Sequence, residues 1–134
     1  MALSFNDVKG LIQFDNVSAK LYDEVANETA LCIANSDEIR DANKSTQLRK
    51  YYDEFCMWDQ KIKQNPDKYG EYLPLIKMLN AKVAYANGRK LVDRNFVDLM
   101  RHCLGQLTDK KESFERCKLF FDAFMGFYKM YKSK

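Results

Sequence analysis

Apolar residues recur every three or four positions through most of the chain, which is the period of helices that bury one face. The segment from Ser45 to Gln64 shows this period most clearly. Ser45 or Thr46 can cap the start of the predicted helix, and Asn65-Pro66 ends it because proline disfavours helical geometry in the preceding residue. Its apolar face consists of Leu48, Tyr51, Tyr52, Phe55, Trp58 and Ile62.

Four other segments show the same helical period, and no alternating pattern typical of a strand competes with it. The third helix of the chain is expected to start at Pro74, a residue that suits a first helical turn, and to be capped by Gly88. Its inward positions are predicted to be Leu75, Ile76, Leu79 and Val83. The predicted helices lie at about Ser18–Asn35, Ser45–Gln64, Pro74–Asn87, Asp93–Leu107 and Lys110–Tyr131.

These helices predict an all-α fold, a single-domain bundle of about five helices. The chain has 134 residues, which is enough for one domain with one core. Residues 18–131 are expected to form the bundle, and residues 1–17 to be a poorly ordered N-terminal segment. The whole chain, residues 1–134, is interpreted as one helical domain.

The last predicted helix carries more apolar side chains than one narrow face can hold. A helix this apolar is expected at the centre of a bundle or buried against another subunit. Gly126 costs about 1 kcal/mol in a helix interior, so it is expected to mark a close approach by a neighbouring backbone. The apolar positions are Phe114, Cys117, Phe120, Phe121, Phe124, Phe127, Tyr128, Met130 and Tyr131.

Charge is distributed unevenly along the chain, although the net charge is only +3. Residues 1–41 hold three cations and eight carboxylates, a net charge of −5, and the remaining residues have a net charge of +8. The basic part is where a polyanion would bind, and the acidic part could face a basic neighbour. The alternative is an ordinary solvated surface with an uneven charge distribution.

The residues that catalysis requires are not grouped in this sequence. Its five glycines stand apart, so there is no phosphate-binding glycine loop. His102 has no serine or aspartate at a recognisable catalytic spacing and is interpreted as a boundary or interface residue. The four cysteines lack the paired spacing of a zinc site and are expected to be packed free thiols. The chain is predicted to be a non-enzyme with no catalytic residue, metal, cofactor or small-molecule substrate.

The sequence also contains no feature that would direct it to a membrane. No apolar run reaches the roughly 18 residues that span a bilayer. The first residues lack the basic start and apolar stretch of a signal peptide. The protein is therefore expected to be cytoplasmic, with no membrane partner.

Cationic side chains lie beside a tyrosine on and just after the third predicted helix, a combination suited to holding an RNA backbone. Lys82, Tyr85 and Arg89 share one stripe at helical spacing, and Lys90 follows directly. Lys82 and Arg89 have no acidic residue at helical spacing within this predicted helix, so their charges are expected to be available for binding.

A second basic group opens the predicted helix at Ser45. Arg49 is equally compatible with a phosphate contact and with a salt bridge to Asp53, and Lys50 can pair with Glu54 in the same way. Tyr51 and Tyr85, one in each basic group, could stack on bases, although aromatic residues at helical spacing more often belong to a core.

Three blocks of the sequence resemble the small helical subunit of type III-A CRISPR effector complexes, the Csm complexes. They are Thr46-Gln47-Leu48-Arg49-Lys50-Tyr51-Tyr52, Lys82-Val83-Ala84-Tyr85-Ala86-Asn87-Gly88-Arg89 and Phe120-Phe121-Asp122-Ala123-Phe124-Met125-Gly126-Phe127-Tyr128-Lys129. Together they cover roughly residues 45–131. The chain departs from the family pattern at Asp122, where glutamate is more usual, and at Gly126, where alanine is common. The region before residue 45 and the loop at residues 65–72 match poorly.

The resemblance implies a non-catalytic subunit that stacks with further copies of itself and with other Csm subunits. It would lie beside the crRNA and contact the target RNA mainly through backbone phosphates, while cleavage belongs to another subunit. Sequence would be read by base pairing, and protein would supply charge and shape. The implied RNA-contact residues are Arg49, Lys50, Lys82 and Arg89, and Lys90 is added because it is adjacent.

The main alternative is a helical protein–protein interaction module or homo-oligomer with no nucleic-acid role. The broad aromatic face of the last helix would then be the working surface, and the cations would only keep the protein dissolved. An enzyme that uses His102 is a third and more remote interpretation.

Overall fold

The computed structural model describes residues 4–132, which fold into helices with no strand among them. A single π-helical turn, Leu21–Val25, leads into α2, and a short 3₁₀ turn, Pro66–Lys68, leads into α4. The all-α, single-domain prediction is confirmed. The helices are α1 Phe5–Lys9, α2 Ala26–Ala34, α3 Ser45–Gln64, α4 Tyr69–Lys77, α5 Leu79–Gly88, α6 Arg94–Leu104 and α7 Lys111–Tyr131.

The N-terminal segment differs from the expectation of poor order. Ser4 and Asp7 form a reciprocal capping box at the start of α1, and Phe5, Val8, Ile12 and Phe14 are buried in the core. A helix of five residues is too short to show a period in the sequence, which is why pattern reasoning missed it.

Three side chains from the rest of the bundle hold this segment in place. The carbonyl oxygen of Ile12 accepts hydrogen bonds from His102 Nε2 and Gln106 Nε2, each at 2.8 Å. Arg116 donates to the carbonyl oxygen of Phe14 at 2.7 Å. His102 is therefore a tether between α6 and the N-terminal segment.

The single predicted helix between Pro74 and Asn87 is wrong in its start and in its continuity. Pro74 lies inside α4, which begins five residues earlier at Tyr69, and the chain breaks at Met78 before α5 begins. Tyr69 is buried, and its hydroxyl donates to the carbonyl oxygen of Thr108 at 2.8 Å. This tertiary contact outweighs the low helix propensity of a proline-containing segment.

The central position predicted for the last helix is confirmed. Helix α7 makes its most numerous contacts with α2 and α3. Phe55 of α3 stacks on Phe121 of α7 with ring centroids 4.7 Å apart. The aromatic face proposed as a working surface is therefore occupied inside the chain, and Met130, at 68% exposure, is one of its few open positions.

Two smaller expectations about side-chain positions are wrong. Leu75, predicted to point inward, is 49% exposed, and α4 instead buries Tyr69 and Ile76. No atom of a neighbouring segment lies within 4 Å of the position that a Cβ on Gly126 would occupy, so this glycine marks no close backbone approach.

Candidate nucleic-acid interface

A backbone hydrogen bond brings two distant loops together at one end of the bundle. The amide of Asn43, just before α3, donates to the carbonyl oxygen of Leu91, just after α5, at 2.9 Å. The side-chain oxygen of Asn43 accepts a second bond from the amide of Asp93 at 3.0 Å. The start of α3 and the end of α5 are therefore adjacent, although they are far apart in sequence.

Buried polar groups fix this junction. Asp93 is fully buried, caps α6 by accepting from the amide of Phe96 at 3.1 Å, and also accepts from the hydroxyl of Ser36. The hydroxyl of Tyr128 donates to the carbonyl oxygen of Asn43 at 2.5 Å. Burial, and to a smaller extent the charge of Asp93, raises the pKa of Tyr128 above its usual value, so this phenol keeps its proton at neutral pH.

The end of α5 is closed by Lys90 and not by Gly88, which corrects the predicted cap. Lys90 adopts a left-handed backbone with φ of 63°. Its amide donates to the carbonyl oxygen of Asn87, and the amide of Leu91 donates to that of Ala86, each at 2.9 Å. This is the Schellman arrangement, in which glycine usually occupies the left-handed position. A lysine there retains a cation at the junction at a cost in backbone strain.

Two cations at the start of α3 and two at the end of α5 are brought to this end of the bundle. Arg49, Lys50, Arg89 and Lys90 are all exposed. Within residues 4–132, Lys50, Arg89 and Lys90 have no ion-pair partner. The start of α3 and the end of α5 thus each carry exposed cations, the kind of charge that attracts a phosphate backbone.

Arg49 forms the salt bridge to Asp53, which was one of the two roles expected for it from the sequence. Its Nε lies 3.3 Å from Oδ1 of Asp53, one turn further along α3, and both side chains are mostly exposed. An exposed pair of this kind is worth a few tenths of a kcal/mol, so it leaves the guanidinium able to exchange its partner for a phosphate.

Lys82 is not the available cation that helical spacing predicted. Its Nζ lies 2.9 Å from Oε1 of Glu54 on α3, so its partner belongs to a different helix. Glu54 therefore pairs with Lys82, and the pair between Lys50 and Glu54 that helical spacing allowed is absent among residues 4–132. Spacing rules test only partners on the same helix, which is why this contact was missed.

The two tyrosines proposed for stacking have opposite surroundings. Tyr51 is only 7% exposed and packs against Phe96 with ring centroids 5.8 Å apart, so it belongs to the core. Tyr85 is 70% exposed on α5, between Lys82 and Arg89 in the sequence. Of the two, Tyr85 is open to a base.

Acidic side chains are also present near the junction. Glu38 accepts a hydrogen bond from the amide of Arg94 at 3.0 Å, and Asp41 lies 3.9 Å from Arg40. The exposed cations at this end of the bundle therefore have carboxylates nearby in the chain.

The described part of the chain lacks the features of a metal site and of a membrane span. No group of three or more His, Cys, Asp or Glu side chains in residues 4–132 is arranged to hold a metal ion. Within the same residues, no helix is long and apolar enough to cross a bilayer. Cys103 and Cys117 are buried, and burial raises the pKa of each thiol, which makes them weak nucleophiles.

The fold and this surface define a small, all-helical protein with exposed cations around two joined loops. A family model described as Csm2 Type III-A matches residues 18–134. The chain belongs to this family and is a small subunit of a type III-A CRISPR complex. The match starts well before residue 45, so it includes α2, where the sequence blocks showed little resemblance. Searches of curated proteins and of solved structures found no significant match.

Proposed function

We propose that this subunit is non-catalytic and holds target RNA through its backbone phosphates, beside the duplex that the RNA forms with the crRNA. The observation that carries the proposal is the junction between Asn43 and Leu91. This hydrogen bond joins the loop before α3 to the loop after α5, which contains Lys90. Cations from these two helices can therefore contact the same RNA strand. Arg49, Lys50, Arg89 and Lys90 are the proposed contacts.

Phosphate contacts alone are sufficient for this role. Guide and target recognise each other by base pairing, so the protein needs only to match the shape and charge of the backbone. Exposed lysine and arginine side chains supply that charge without reading the sequence. Tyr85, which is exposed between two of the cations, adds a ring on which an unpaired base can stack.

Lys82 is also a proposed RNA contact, but we expect it to contribute less to RNA affinity than the other four cations. The Lys82 side chain is half exposed, but the carboxylate of Glu54 opposes its charge at short range. We expect Lys82 to act mainly by linking α5 to α3 through Glu54.

The acidic N-terminal part and an exposed apolar stripe are the proposed contacts with further copies of the chain and with other subunits. Asp23 and Glu24 are exposed at the π-helical turn. Leu75 on α4 and Met78 between α4 and α5 are large apolar side chains left exposed, as is common at protein–protein contacts. Charge reversal at Asp23 and Glu24 is expected to reduce incorporation into the complex without unfolding the chain, as measured by co-purification.

The decisive test uses the assembled complex and a target RNA complementary to its guide. Arg89→Gln and Lys50→Gln are each expected to weaken RNA binding and to reduce the slope of log affinity against log salt by about one unit. Lys68→Gln is the matched control: it removes an exposed cation beyond the far end of α3, a helix of 20 residues that is about 30 Å long.

The outcome of that experiment separates the interpretations. Equal affinity and salt slope for Arg89→Gln, Lys50→Gln and Lys68→Gln, all in intact complexes, would exclude this surface as the RNA contact. A loss confined to the first two variants supports it. A complex that fails to assemble with Arg89→Gln, while the isolated chain stays folded, would assign the surface to subunit contacts.

A further inference from the structure

A groove between the start of α3 and the end of α7 has the lining of a small nucleotide site. Its volume is about 260 Å³. The residues that matter for the argument are Thr46, Arg49, Tyr52, Met125 and Lys129, which come from both helices. Nothing in the proposed backbone contact requires such a groove, since phosphates can be held on an open surface.

We propose that this groove binds one nucleotide unit, with its base against Tyr52 and Met125 and its phosphate between Arg49 and Lys129. The inference rests on the proposed function, because a nucleotide of the bound RNA strand is the source we favour. A free mononucleotide offers the same chemistry, a planar ring joined to a phosphate, and the experiment below distinguishes the two.

The floor of the groove suits a planar ring. Tyr52 contributes an aromatic side chain and Met125 a thioether, which adapts its shape to flat partners. The hydroxyl of Tyr52 donates to Oδ1 of Asp122 at 2.6 Å, which fixes the position of the aromatic side chain. The hydrogen bond to Asp122 also raises the pKa of Tyr52, so the ring stays neutral beside a phosphate.

The walls carry charge that complements a phosphate. Arg49 belongs to α3 and Lys129 to α7, so the two cations stand on separate helices that both line the groove. The salt bridge of Arg49 to Asp53 is exposed and weak, and a phosphate can replace it. Thr46, exposed at the start of α3, adds a hydroxyl that can donate to a phosphate oxygen.

The size of the groove limits its occupant. Pockets for drug-sized ligands hold about 300–1,000 Å³. A groove of about 260 Å³ therefore admits one base and leaves the sugar and phosphate at its rim. For an RNA strand, this means a base turned out of the stack, as occurs where single-stranded nucleic acid is bound on aromatic side chains.

The groove is part of the packed bundle and is not formed by a loop. The hydroxyl of Ser45 donates to the carbonyl oxygen of Lys132, and Lys132 Nζ donates to the carbonyl oxygen of Ala42 at 2.9 Å. These bonds hold the end of α7 against the start of α3, so the two walls keep a fixed separation.

The first test titrates the full-length chain, labelled with ¹³C at its methionine methyl groups, with adenosine monophosphate. The Met125 methyl resonance is expected to shift, with inorganic phosphate and adenosine each producing a smaller change at equal concentration. Absence of any Met125 shift with adenosine monophosphate would overturn the proposal.

Variants locate the binding within the groove. Arg49→Gln is expected to weaken adenosine monophosphate binding about tenfold, the effect of losing one charged hydrogen bond to phosphate. Tyr52→Phe, which keeps the ring, should retain binding, and Tyr52→Leu should lose it. Because Arg49 is exposed, its variant remains informative if Tyr52→Leu unfolds the chain. Binding unaffected by Arg49→Gln, with Lys68→Gln as the control, would contradict the assignment.

The source of the nucleotide is decided with two short single-stranded RNAs, one of which lacks a single base at its centre. A Met125 shift with the complete strand that is lost with the abasic strand supports a base of bound RNA. A shift with adenosine monophosphate and none with either strand supports a free mononucleotide. If adenosine monophosphate fails while the assembled complex still depends on Arg89 for RNA affinity, the groove is excluded and the backbone contact stands.

Discussion

Lys82 and Glu54 form an ion pair that joins α5 to α3, with Nζ of Lys82 2.9 Å from Oε1 of Glu54. The Nζ also lies 3.0 Å from the second oxygen, so both oxygens share the ammonium. Glu54 is the more buried partner, and the pair stands on the same two helices that carry the proposed RNA contacts. A carboxylate in this position opposes the approach of phosphate, so the pair limits how strongly Lys82 can attract RNA.

Replacing Glu54 by Gln should release the charge of Lys82. We expect target-RNA affinity of the assembled complex to rise about two- to fivefold at low salt, and the gain to shrink as salt screens it. The stability of the isolated chain should change by less than about 1 kcal/mol, because both partners retain contact with water. The measurement is RNA binding over a salt series, with denaturant unfolding of the isolated chain.

Glu71→Gln serves as the control for that experiment, since Glu71 is an exposed carboxylate in the first turn of α4. The two variants change net charge equally. Equal gains in RNA affinity for both would mean that net charge alone acts, and that Lys82 has no place at the interface.

Lys90 offers a test in which stability and binding move in opposite directions. Lys90→Gly should stabilise the chain by about 1 kcal/mol, because glycine adopts the left-handed backbone without strain. The same change should weaken RNA binding, since it removes a proposed phosphate contact. Thermal unfolding and RNA affinity of the assembled complex give the two readouts.

Lys90→Ala separates these effects, because it removes the charge and keeps the strain. It should lose RNA affinity to the same degree as Lys90→Gly without the gain in stability. A Lys90→Gly variant that gains stability and keeps full affinity would remove Lys90 from the contact set.

The features that were predicted best from the sequence are those that local signals control, such as helix ends and buried helix positions. Helix α3 spans Ser45–Gln64 as expected, and the proline after its end acts within a few residues of that point. The predicted cap was wrong, because the N-cap is Lys44, with no side-chain capping bond, and the Ser45 hydroxyl donates to the carbonyl oxygen of Lys132 instead. The inward positions Ile76, Leu79 and Val83 were also predicted correctly from helical spacing. The all-α class follows from the same periodicity.

What the sequence did not reveal depends on contacts between distant segments. The pair of Lys82 and Glu54 spans two helices, and Tyr69, which begins α4, is bonded to Thr108, 39 residues away in the sequence. The left-handed backbone of Lys90 could not be expected when a glycine stood two residues earlier. These contacts decide which cations are open, so the composition of the candidate site required the structure.

Asn43 should prove critical for the junction between the two loops. It is buried, it adopts φ of 60°, and its side-chain oxygen accepts the amide of Asp93. Asn43→Ala is expected to destabilise the chain by about 2–3 kcal/mol, through backbone strain and an unpaired buried amide. Denaturant unfolding of the isolated chain measures the loss.

Asn43→Gly keeps the backbone free of strain and removes only the side-chain bond, so its loss should be smaller than that of Asn43→Ala. Both variants should also lower RNA affinity in the assembled complex, because the junction positions Lys90 beside α3. Equal stability of wild type and Asn43→Ala would show that this side chain does not hold the loops together.

Tyr128 should make stability depend on alkaline pH. Its folded-state pKa is raised above the usual value of 10.0, so the folded chain retains the proton more firmly than the unfolded chain does. The stabilisation of the folded chain by the protonated Tyr128 hydroxyl is therefore fully present below about pH 10 and is lost as pH rises through the folded-state pKa. Tyr128→Phe lacks the ionisable group and the bond to the carbonyl oxygen of Asn43, so it should be less stable than wild type at neutral pH.

The difference in unfolding free energy between wild type and Tyr128→Phe should shrink as pH rises above about 10, because only wild type loses the protonated phenol there. Unfolding by denaturant at a series of pH values measures this convergence. Ionisation of the buried thiols of Cys103 and Cys117 also destabilises the folded chain at alkaline pH. Both thiols are present in wild type and in Tyr128→Phe, so their contributions cancel in the difference between the two unfolding free energies. A difference that stays constant from neutral pH to pH 11 would show that the Tyr128 hydroxyl is ionised as easily in the folded chain as in the unfolded one.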